Sequence, residues 1–305
     1  MKKKTICIII LNWNGKNNTV ACLQSLQAIE EENYVSTTIV VDNDSSDNSV
    51  SAIQKEFPQI TIIQNDSNRG YTGGMNRGIA YALEKNADYI LLLNNDTIVD
   101  KKSVSALFSI IDSNEKIGVV VPKIFFSKGS EFHKSRYKAN ELGKVIWYAG
   151  GEIDWKNIIG YHTGVDEVDK GQYDATSETL YATGCCMMIK REVLEIVGLL
   201  DDNFYLYYED SDFSLRVKNS NYKIVFVPQA HIWHKNAGSA GGSGSGMQDY
   251  YITRNRMLFG LRYGPLRSKL ALIKESVFLL LKGRDWQKKG IVDFYMKRFG
   301  KGSYH

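Results

Sequence analysis

The sequence predicts an α/β fold in which a mostly parallel central sheet is flanked by helices. Residues 6–11 and 89–93 are almost entirely large and apolar, which is typical of strands buried on both faces of a parallel sheet. Segments with helical spacing alternate with the strands, as in βαβ units. Polar residues follow each strand, at the edge where open α/β sheets bind their ligands. We therefore expect a ligand site along the carboxyl ends of the strands.

Length and composition indicate an ordinary globular protein. The 305 residues suffice for one large α/β domain or two smaller ones, and a net charge of +4 gives no reason to expect a nucleic-acid partner. No apolar run reaches the roughly 18–20 residues of a membrane span. The apolar start lacks a cleavage site and is predicted to be a strand, so we expect a cytoplasmic protein. Four cysteines without a CxxC pair are predicted to be buried, reduced thiols: Cys7, Cys22, Cys185 and Cys186.

Strand and helix patterns alternate through the first hundred residues. The predicted strands are residues 6–11, 38–41, 60–63 and 89–93, and the predicted helices run from 18 or 19 to 29, from 49 to 57 and up to about 85. Trp13, Asp42 and Asp96 each follow one of the strands. Because these strands should be parallel, we expect the three side chains to converge on one edge.

The fourth strand ends at Asn94, Asn95 and Asp96. An aspartate in this place can hold Mg²⁺ or Mn²⁺ through oxygen, and asparagine can form hydrogen bonds with a substrate. The same residues could instead form an Asx-type turn that caps the next helix. Both interpretations stay open on these residues alone.

The glycine-rich stretch of residues 70–78 matches neither the dinucleotide-binding motif nor the phosphate-binding loop motif. Its glycines could serve a tight turn and close helix packing. Beside a ligand edge they could also let backbone N–H groups approach a nucleotide. We predict a loop here, followed by a helix.

The second half of the chain predicts further strands and helices around a cluster of acids. Residues 103–111 form a predicted helix, 118–126 and 179–190 predicted strands, and 127–174 loops or short hairpins where an acceptor could bind. The acids Glu209, Asp210 and Asp212 open a predicted helix. Carboxylates there complement the helix dipole, but three in four residues exceed what capping needs. A catalytic acid or base in this cluster is the alternative.

Aromatic, flexible and basic segments follow in turn. A predicted strand at residues 223–227 leads to His231 and His234, and then to a Gly/Ser run that could be a linker or a mobile lid. The tail from Arg262 is rich in Lys and Arg, with apolar helical stretches at 270–281 and 286–299. It could be a packed subdomain or an amphipathic helix that binds a surface.

These motifs, in this order, resemble an inverting family 2 glycosyltransferase of the rhamnosyltransferase-like branch. The resemblance covers roughly residues 5–260 and implies a GT-A-type nucleotide-diphospho-sugar transferase fold. It divides the chain into a catalytic domain, residues 1–260, and a basic helical C-terminal extension, residues 261–305. Residues 1–100 would be the nucleotide-binding half of the domain and 101–260 the acceptor and catalytic half. The motifs that carry it are residues 11–15, 42–43, 68–78, 94–96, 172–174, 183–184, 209–212 with Arg216, and His234.

The resemblance implies a role for each motif. Asp96 would hold Mn²⁺ or Mg²⁺ with His234 as a further ligand, and Asp210 would be the catalytic base with Glu209 beside it. Donor binding would fall to Asn12, Trp13, Asp42, Asn43, Asn68, Gly70, Gly73, Gly74, Asn76, Asn94, Asn95 and Arg254. Three positions depart from the family pattern: Asn94 replaces the first Asp of a DxD motif, Asp44 stands where Gly is commoner, and Met75 interrupts Gly-Gly-Asn-Asn.

The implied reaction moves a sugar from a UDP- or dTDP-sugar to a saccharide or lipid-linked saccharide in cell-surface polysaccharide synthesis. Charge grows on the leaving diphosphate, where a cation at Asp96 and Arg254 or Arg256 could offset it, and a carboxylate deprotonates the acceptor hydroxyl. We expect peripheral association with an anionic membrane on its inner face. Two alternatives remain: a sugar-1-phosphate nucleotidyltransferase, which would need a basic Gly-rich loop after the first strand, and a non-catalytic nucleotide-sugar-binding protein.

Overall fold

Apolar strands form one large sheet in the computed structural model, which describes residues 3–235 and 244–304. The strands within these ranges are β1 (Lys4–Asn12), β2 (Tyr34–Asp42), β3 (Thr61–Gln64), β4 (Tyr89–Asn94), β5 (Thr97–Val99), β6 (Ile117–Phe126), β7 (Ile146–Tyr148), β8 (Gly151–Asp154), β9 (Ile159–His162), β10 (Ser177–Glu178), β11 (Cys186–Lys190) and β12 (Lys223–His234). The helices there are α1 (Lys16–Gln27), α2 (Ser49–Glu56), α3 (Gly70–Glu84), α4 (Ser103–Asp112), α5 (Arg191–Val197), α6 (Glu209–Asn219), α7 (Gly246–Tyr263), α8 (Leu266–Lys282) and α9 (Asp285–Tyr295).

The sheet is mostly parallel, as predicted. Its strand order is β10-β12-β6-β11-β4-β1-β2-β3, and β1 runs parallel to both β2 and β4. The exception in the centre is β11, which lies antiparallel between β4 and β6. Strands β8 and β9 form a separate hairpin. The main hydrophobic core fills both faces of the large sheet, and β1, β4 and β11 are buried on both sides.

The predicted loop at residues 70–78 is wrong. The structure has a helix there, because α3 already begins at Gly70. A Cβ atom at Gly74 would collide with Leu11, and one at Gly78 would collide with Ile9. The glycines therefore let α3 pack directly on β1 and β2. Glycine has a low intrinsic helix propensity, and this close packing outweighs it.

The predicted strand at residues 179–190 is shorter in the structure, where β11 begins only at Cys186. The residues before β11 donate backbone hydrogen bonds that do not belong to a strand pairing. That of Tyr181 donates to the carbonyl of Gly151, that of Ala182 to the hydroxyl of Ser214, and that of Gly184 to the carboxylate of Asp210. Residues 179–184 thus form a hydrogen-bonded floor beneath the acidic cluster instead of a strand.

A second, smaller core joins the C-terminal helices to the rest of the chain. Ile158 from the hairpin turn, Phe204, Phe259 from α7, Leu272 from α8 and Ile291 from α9 pack in it. Helix α7 runs unbroken through the predicted domain boundary at residue 260. The tail is helical, as the sequence indicates, with one face packed on this core.

Three further predictions concern the state of the cysteines, the presence of membrane-spanning segments and the role of the Gly/Ser run. All four cysteines are free and buried, as predicted. No helix in the described part of the chain has the length and apolar character needed to cross a membrane. Most of the predicted linker or lid, residues 236–243, lies outside the described residues.

Candidate active site

Parallel strands bring the predicted donor-binding residues to one edge of the sheet. In the register of β1 with its neighbours, Asn12 lies opposite Asp42 on β2, and Leu11 lies opposite Asn94 on β4. Helix α1 follows β1 after a short turn. The strand ends next to Trp13, Asp42 and Asp96 therefore lie side by side, as expected.

One hydrogen-bond network ties these strand ends together. The amide of Asn12 donates to Oδ1 of Asp42 over 2.7 Å and accepts from Thr19 of α1 over 2.7 Å. The other oxygen of Asp42 accepts the backbone N–H of Ser45 at 3.0 Å, and Asn95 donates to Thr19 at 3.0 Å. Asp42 is buried, and the network holds its carboxylate in a fixed orientation.

A second network fixes the start of α3. The amide of Asn43 donates to the side chain of Asn68 at 2.9 Å and to the carbonyl of Gly70 at 3.0 Å. Asn68 also accepts the backbone N–H of Gly70 at 2.8 Å. Gly70 has a φ of +70°, and a Cβ atom there would lie 2.5 Å from the carbonyl oxygen of Tyr205. Glycine is therefore required at this position on two grounds.

Five predicted donor-binding residues keep solvent access. Trp13 exposes 37% of its surface, and Asn68, Gly73, Asn94 and Asn95 are half-buried. These groups remain able to contact a ligand.

Asn76 and Gly74 lie elsewhere, which corrects their predicted roles in donor binding. The amide of Asn76 donates to the carbonyl of Leu200 and to Asp202, both at 2.8 Å, and accepts from the N–H of Leu200 at 3.1 Å. Its hydrogen-bonding groups are all used in anchoring that loop. Gly74 is buried against Leu11. The helical phase of α3, which the sequence did not predict here, turns both residues away from the edge.

Asp96 and His234 form a buried pair next to this edge. The antiparallel pairing of β5 with β12 places His234 opposite Thr97, and Nε2 of His234 lies 3.1 Å from Oδ1 of Asp96. Both side chains are less than a tenth exposed. Nδ1 of His234 is buried and has no hydrogen-bond partner. Within the described residues, no three His, Cys, Asp or Glu side chains converge as a metal site.

Two residues beside this pair were missed by the sequence analysis. The Trp147 ring lies 4.6 Å from that of His234 and 4.3 Å from that of His162, measured between centroids. Burial lowers the pKa of His162 to about 4, so this imidazole is neutral at physiological pH. His162 stacks on Tyr181. No motif marks these residues, since hairpin β8–β9 and the strand before it bring them together only in three dimensions.

Asp210, in the first turn of α6, is the half-buried acid of the cluster. Its Oδ2 accepts hydrogen bonds from the hydroxyl of Tyr181 at 2.7 Å and from the N–H of Gly184 at 3.1 Å. Its Oδ1 accepts from the N–H of Ser211 at 2.7 Å. Burial raises the pKa of Asp210, while these three donors stabilise the ionised form and act in the opposite sense.

Glu209 and Asp212 differ from Asp210 in their surroundings. Glu209 is buried with Oε2 unpartnered, so burial and the neighbouring charge of Asp210 raise its pKa well above the usual value. Asp212 is fully buried and accepts hydrogen bonds from Arg216, Arg262 and Tyr263. Its role is structural. Of the two adjacent carboxyl groups of Glu209 and Asp210, Glu209 holds its proton more strongly, because Asp210 has three hydrogen-bond donors that stabilise its ionised form.

The two carboxylates Asp96 and Asp210 lie at the same edge of the sheet. The backbone that donates to Asp210 through Gly184 continues to Cys185, whose carbonyl accepts the N–H of Asn94 at 2.9 Å. The antiparallel pairing of β11 with β4 is what creates this contact. One continuous stretch of backbone therefore spans from the acidic cluster to the end of β4.

The predicted donor contact of Arg254 is not supported, because its side chain is fully buried. It donates to the carbonyls of Gly300 at 2.7 Å, Phe204 at 3.0 Å and Asn203 at 3.2 Å. The neighbouring Asn255 lies 2.8 Å from the carbonyl oxygens of Phe204 and Leu206. The pair thus holds the loop that leads into α6.

That loop is strained. Tyr205, Tyr207 and Tyr208 have φ values of 66°, 69° and 72°, in the left-handed region that side chains disfavour. The bonds from α7 therefore hold a conformation that the tyrosines would not adopt by themselves. This conformation presents Asp210 directly after Tyr208.

Comparison with protein families and characterised proteins gives consistent matches. The family described as "Glycosyl transferase family 2" matches residues 7–198. A low-salt glycan biosynthesis hexosyltransferase of Haloferax volcanii is 27% identical over 83% of this chain and 74% of its own length. A dTDP-rhamnosyl transferase of Shigella flexneri is 24% identical over 90% of this chain and 86% of its own length. An N-acetylglucosaminyl-diphospho-decaprenol L-rhamnosyltransferase of Mycobacterium tuberculosis is 22% identical over 67% and 68%.

Solved structures share the fold. GalNAc-T7, crystallised with UDP, GalNAc and Mn²⁺, superimposes with a TM-score of 0.63 at 16% identity, covering 92% of this chain and 57% of its own. A mannosyltransferase of Pyrobaculum calidifontis, in complex with GDP-Man and Mn²⁺, has a TM-score of 0.57 at 13% identity, covering 97% and 75%. These likenesses confirm the predicted GT-A-type fold.

Proposed function

Because this chain belongs to glycosyl transferase family 2, we propose that it moves a sugar from a nucleoside-diphosphate donor to a saccharide or lipid-linked saccharide, with inversion at the anomeric carbon. It is a glycosyltransferase similar to rhamnosyl- and hexosyltransferases, and its reaction belongs to glycan synthesis. The observation that carries the proposal is Asp210. It is a half-buried carboxylate with three hydrogen-bond donors, at the sheet edge that also carries Asp96.

In this proposal the donor nucleotide lies along the ends of β1, β2 and β4. The exposed indole of Trp13 offers a stacking surface for a base, and the networks of Asp42 and Asn43 hold the surrounding turns. The contacts are assigned to Trp13, Asp42, Asn68, Gly73, Asn94 and Asn95. The buried Asn12, Asn43 and Gly70, whose hydrogen-bonding groups are already paired, hold the turns around them. The name of the Shigella flexneri relative and the UDP bound to GalNAc-T7 support a dTDP- or UDP-sugar.

Asp96 and His234 fit a divalent cation. They offer one carboxylate oxygen and one imidazole nitrogen 3.1 Å apart, and Nδ1 of His234 is a second ring nitrogen that has no partner. Both solved structures contain Mn²⁺, which supports Mn²⁺ or Mg²⁺ here. A cation bound there would supply positive charge that offsets the charge on the leaving diphosphate.

Asp210 acts as the base in this mechanism. Its ionised carboxylate accepts the proton of the acceptor hydroxyl as that oxygen attacks the anomeric carbon from the side opposite the diphosphate. The bond to the diphosphate breaks in the same step, so the configuration inverts. Tyr181 and the N–H of Gly184 keep Oδ2 oriented, and burial raises the pKa of the neighbouring Glu209.

The acceptor side of the site is the hairpin β8–β9. A Cβ atom at Gly160 would lie 3.4 Å from the hydroxyl of Ser211, next to Asp210, so the hairpin borders the base closely. The Mycobacterium tuberculosis relative is named for an acceptor on a polyprenol diphosphate. That name supports a lipid-linked acceptor for cell-surface polysaccharide synthesis and a location on the inner face of the membrane.

The test is transfer from a panel of nucleotide sugars. The purified chain is incubated with Mn²⁺, UDP-, dTDP- or GDP-sugars and a short-chain analogue of a lipid-linked saccharide, and released nucleoside diphosphate is measured. We expect one donor to react, and NMR of the product to show the opposite anomeric configuration from the donor. Product with retained configuration, release of pyrophosphate, or binding without turnover would each contradict the proposal.

A further inference from the structure

Helix α8 carries an apolar face that nothing in the described structure covers. Ser268, Leu272 and Ser276 face the protein and are buried. A different set of apolar residues follows at spacings of three and four, which puts them in one stripe along the helix. The stripe consists of Leu266 and Leu281, exposed to 74% and 73%, with Leu270, Ile273, Val277 and Leu280 between them.

Cationic side chains flank this stripe. At 100° per residue, Arg267 and Lys274 lie along one side of it and Lys269 along the other, and Lys282 follows its end. The one acid of α8, Glu275, faces the protein and accepts a hydrogen bond from Arg256 at 2.7 Å. The exposed half of α8 is therefore apolar along the stripe with Lys and Arg side chains beside it, and Phe278, 59% exposed, lies beyond Arg267 and Lys274.

We propose that this stripe docks α8 flat on an anionic membrane surface. Its 17 residues extend about 25 Å, so the apolar side chains could enter the headgroup boundary while the Lys and Arg side chains contact lipid phosphates. Pairing with a second copy of the chain fits less well, because it would bring two identical cationic margins together.

The contacts of α8 connect the stripe to the acceptor side of the site. The hydroxyl of Ser268 donates to the carbonyl of Trp155 at 2.6 Å, and Arg256, which binds Glu275, also donates to the carbonyl of Asn157 at 2.7 Å. Both carbonyls belong to the turn of hairpin β8–β9, so a docked α8 holds this hairpin close to the membrane. This last step rests on the proposed function, whereas the docking itself does not.

Vesicle binding tests the proposal. The full chain is sedimented with phosphatidylcholine vesicles, with and without phosphatidylglycerol. We expect binding that needs the anionic lipid and weakens as salt rises. The double variant Leu270→Glu/Val277→Glu should bind at least about tenfold more weakly, because it loses two apolar contacts and adds two negative charges. Ile196→Glu, at a residue on α5 that is 63% exposed, is the matched control and should bind like the wild type.

Two further measurements decide the remaining outcomes. Equal sedimentation of the wild type and the double variant would overturn the proposal, as would a wild-type dimer in light scattering that the double variant abolishes. Arg267→Ala/Lys274→Ala should weaken binding to the anionic vesicles only. Transfer to a soluble acceptor analogue should be unchanged in all these variants. Loss of vesicle binding with intact transfer therefore separates this proposal from the proposed function.

Discussion

Tyr181 donates a hydrogen bond to Oδ2 of Asp210 over 2.7 Å, and its ring stacks on that of His162. The contact joins the floor at residues 179–184 to the first turn of α6. It distinguishes Asp210 from its neighbours in the acidic cluster. Glu209 has an unpartnered oxygen, and Asp212 is bound by arginines.

The first prediction is that Asp210→Asn lowers turnover by about 10²–10⁴-fold, the usual contribution of a positioned base. The amide can still accept from Tyr181, so the fold and donor binding should be kept. Turnover and the Kd for nucleoside diphosphate are the measurements, with the exposed Asp285→Asn as control. Glu209→Gln should cost less. Normal turnover in Asp210→Asn together with loss of turnover in Glu209→Gln would show that the base is Glu209 and not Asp210.

The second prediction concerns the pH profile of Tyr181→Phe. The lost hydrogen bond stabilised ionised Asp210, so its pKa should rise further. A base is active when ionised, and activity disappears as pH falls through its pKa. The acid limb of kcat against pH should therefore move to higher pH in the variant. A loss of kcat that is uniform across pH would instead indicate a purely structural role for Tyr181.

The third prediction is that Glu209 makes the protein less stable as pH rises. Its pKa is raised in the folded chain, so the folded chain keeps a proton that the unfolded chain releases above the ordinary carboxyl range. Stability should fall as pH increases from that range toward the raised pKa. Glu209→Gln cannot ionise and should show a shallower fall, measured by urea unfolding at several pH values. The exposed Glu115→Gln should follow the wild type, and an equal slope in Glu209→Gln would refute the assignment.

The fourth prediction concerns metal binding. Asp96→Ala should abolish transfer and remove the Mn²⁺ dependence of nucleoside-diphosphate binding, because it deletes the carboxylate of the Asp96–His234 pair. Calorimetry with and without Mn²⁺ measures this. His234→Ala should weaken the Mn²⁺-dependent binding less, since the carboxylate remains. Unchanged Mn²⁺-dependent binding in Asp96→Ala would contradict the assignment of Asp96 as a metal ligand.

The fifth prediction separates the structural role of Arg254 from donor binding. Arg254→Lys should lower the free energy of unfolding by about 2–4 kcal/mol, since an ammonium group cannot satisfy the same set of buried carbonyls. Urea unfolding measures this, and donor affinity of the folded variant should match the wild type. Full stability with weakened donor binding would restore the role that the sequence predicted.

Much of the fold could be predicted because its strands are long and apolar. The parallel order of β1, β2 and β4 follows from βαβ alternation, and it places Asp42 and Asp96 on the same edge. Residues 70–78 were harder, because their glycines favour a loop locally. Only the close approach of α3 to Leu11 and Ile9 makes a helix there favourable.

The positions of candidate site residues were predictable where a local pattern marks them and unpredictable where contacts are long-range. Asp96, His234 and Asp210 are marked by local patterns. Tyr181, His162 and Trp147 are not, since only the hairpin brings them together. Arg254 looked like a phosphate ligand because arginine in a site usually binds anions. It is buried among backbone carbonyls that are distant in sequence, such as those of Phe204 and Gly300.

The antiparallel strand β11 has a consequence for how the chain acquires its shape during synthesis. β1, β2, β3 and β4 come from the first third of the chain and can pair as soon as they emerge. One edge of β4 then stays unpaired until β11 has been synthesised, and β5 stays unpaired until β12 has been synthesised. Such late pairings are slow to close and leave an edge available to other chains in the meantime. A nascent chain that stalls before residue 186 would therefore have β1, β2, β3 and β4 paired and an aggregation-prone edge where β11 belongs.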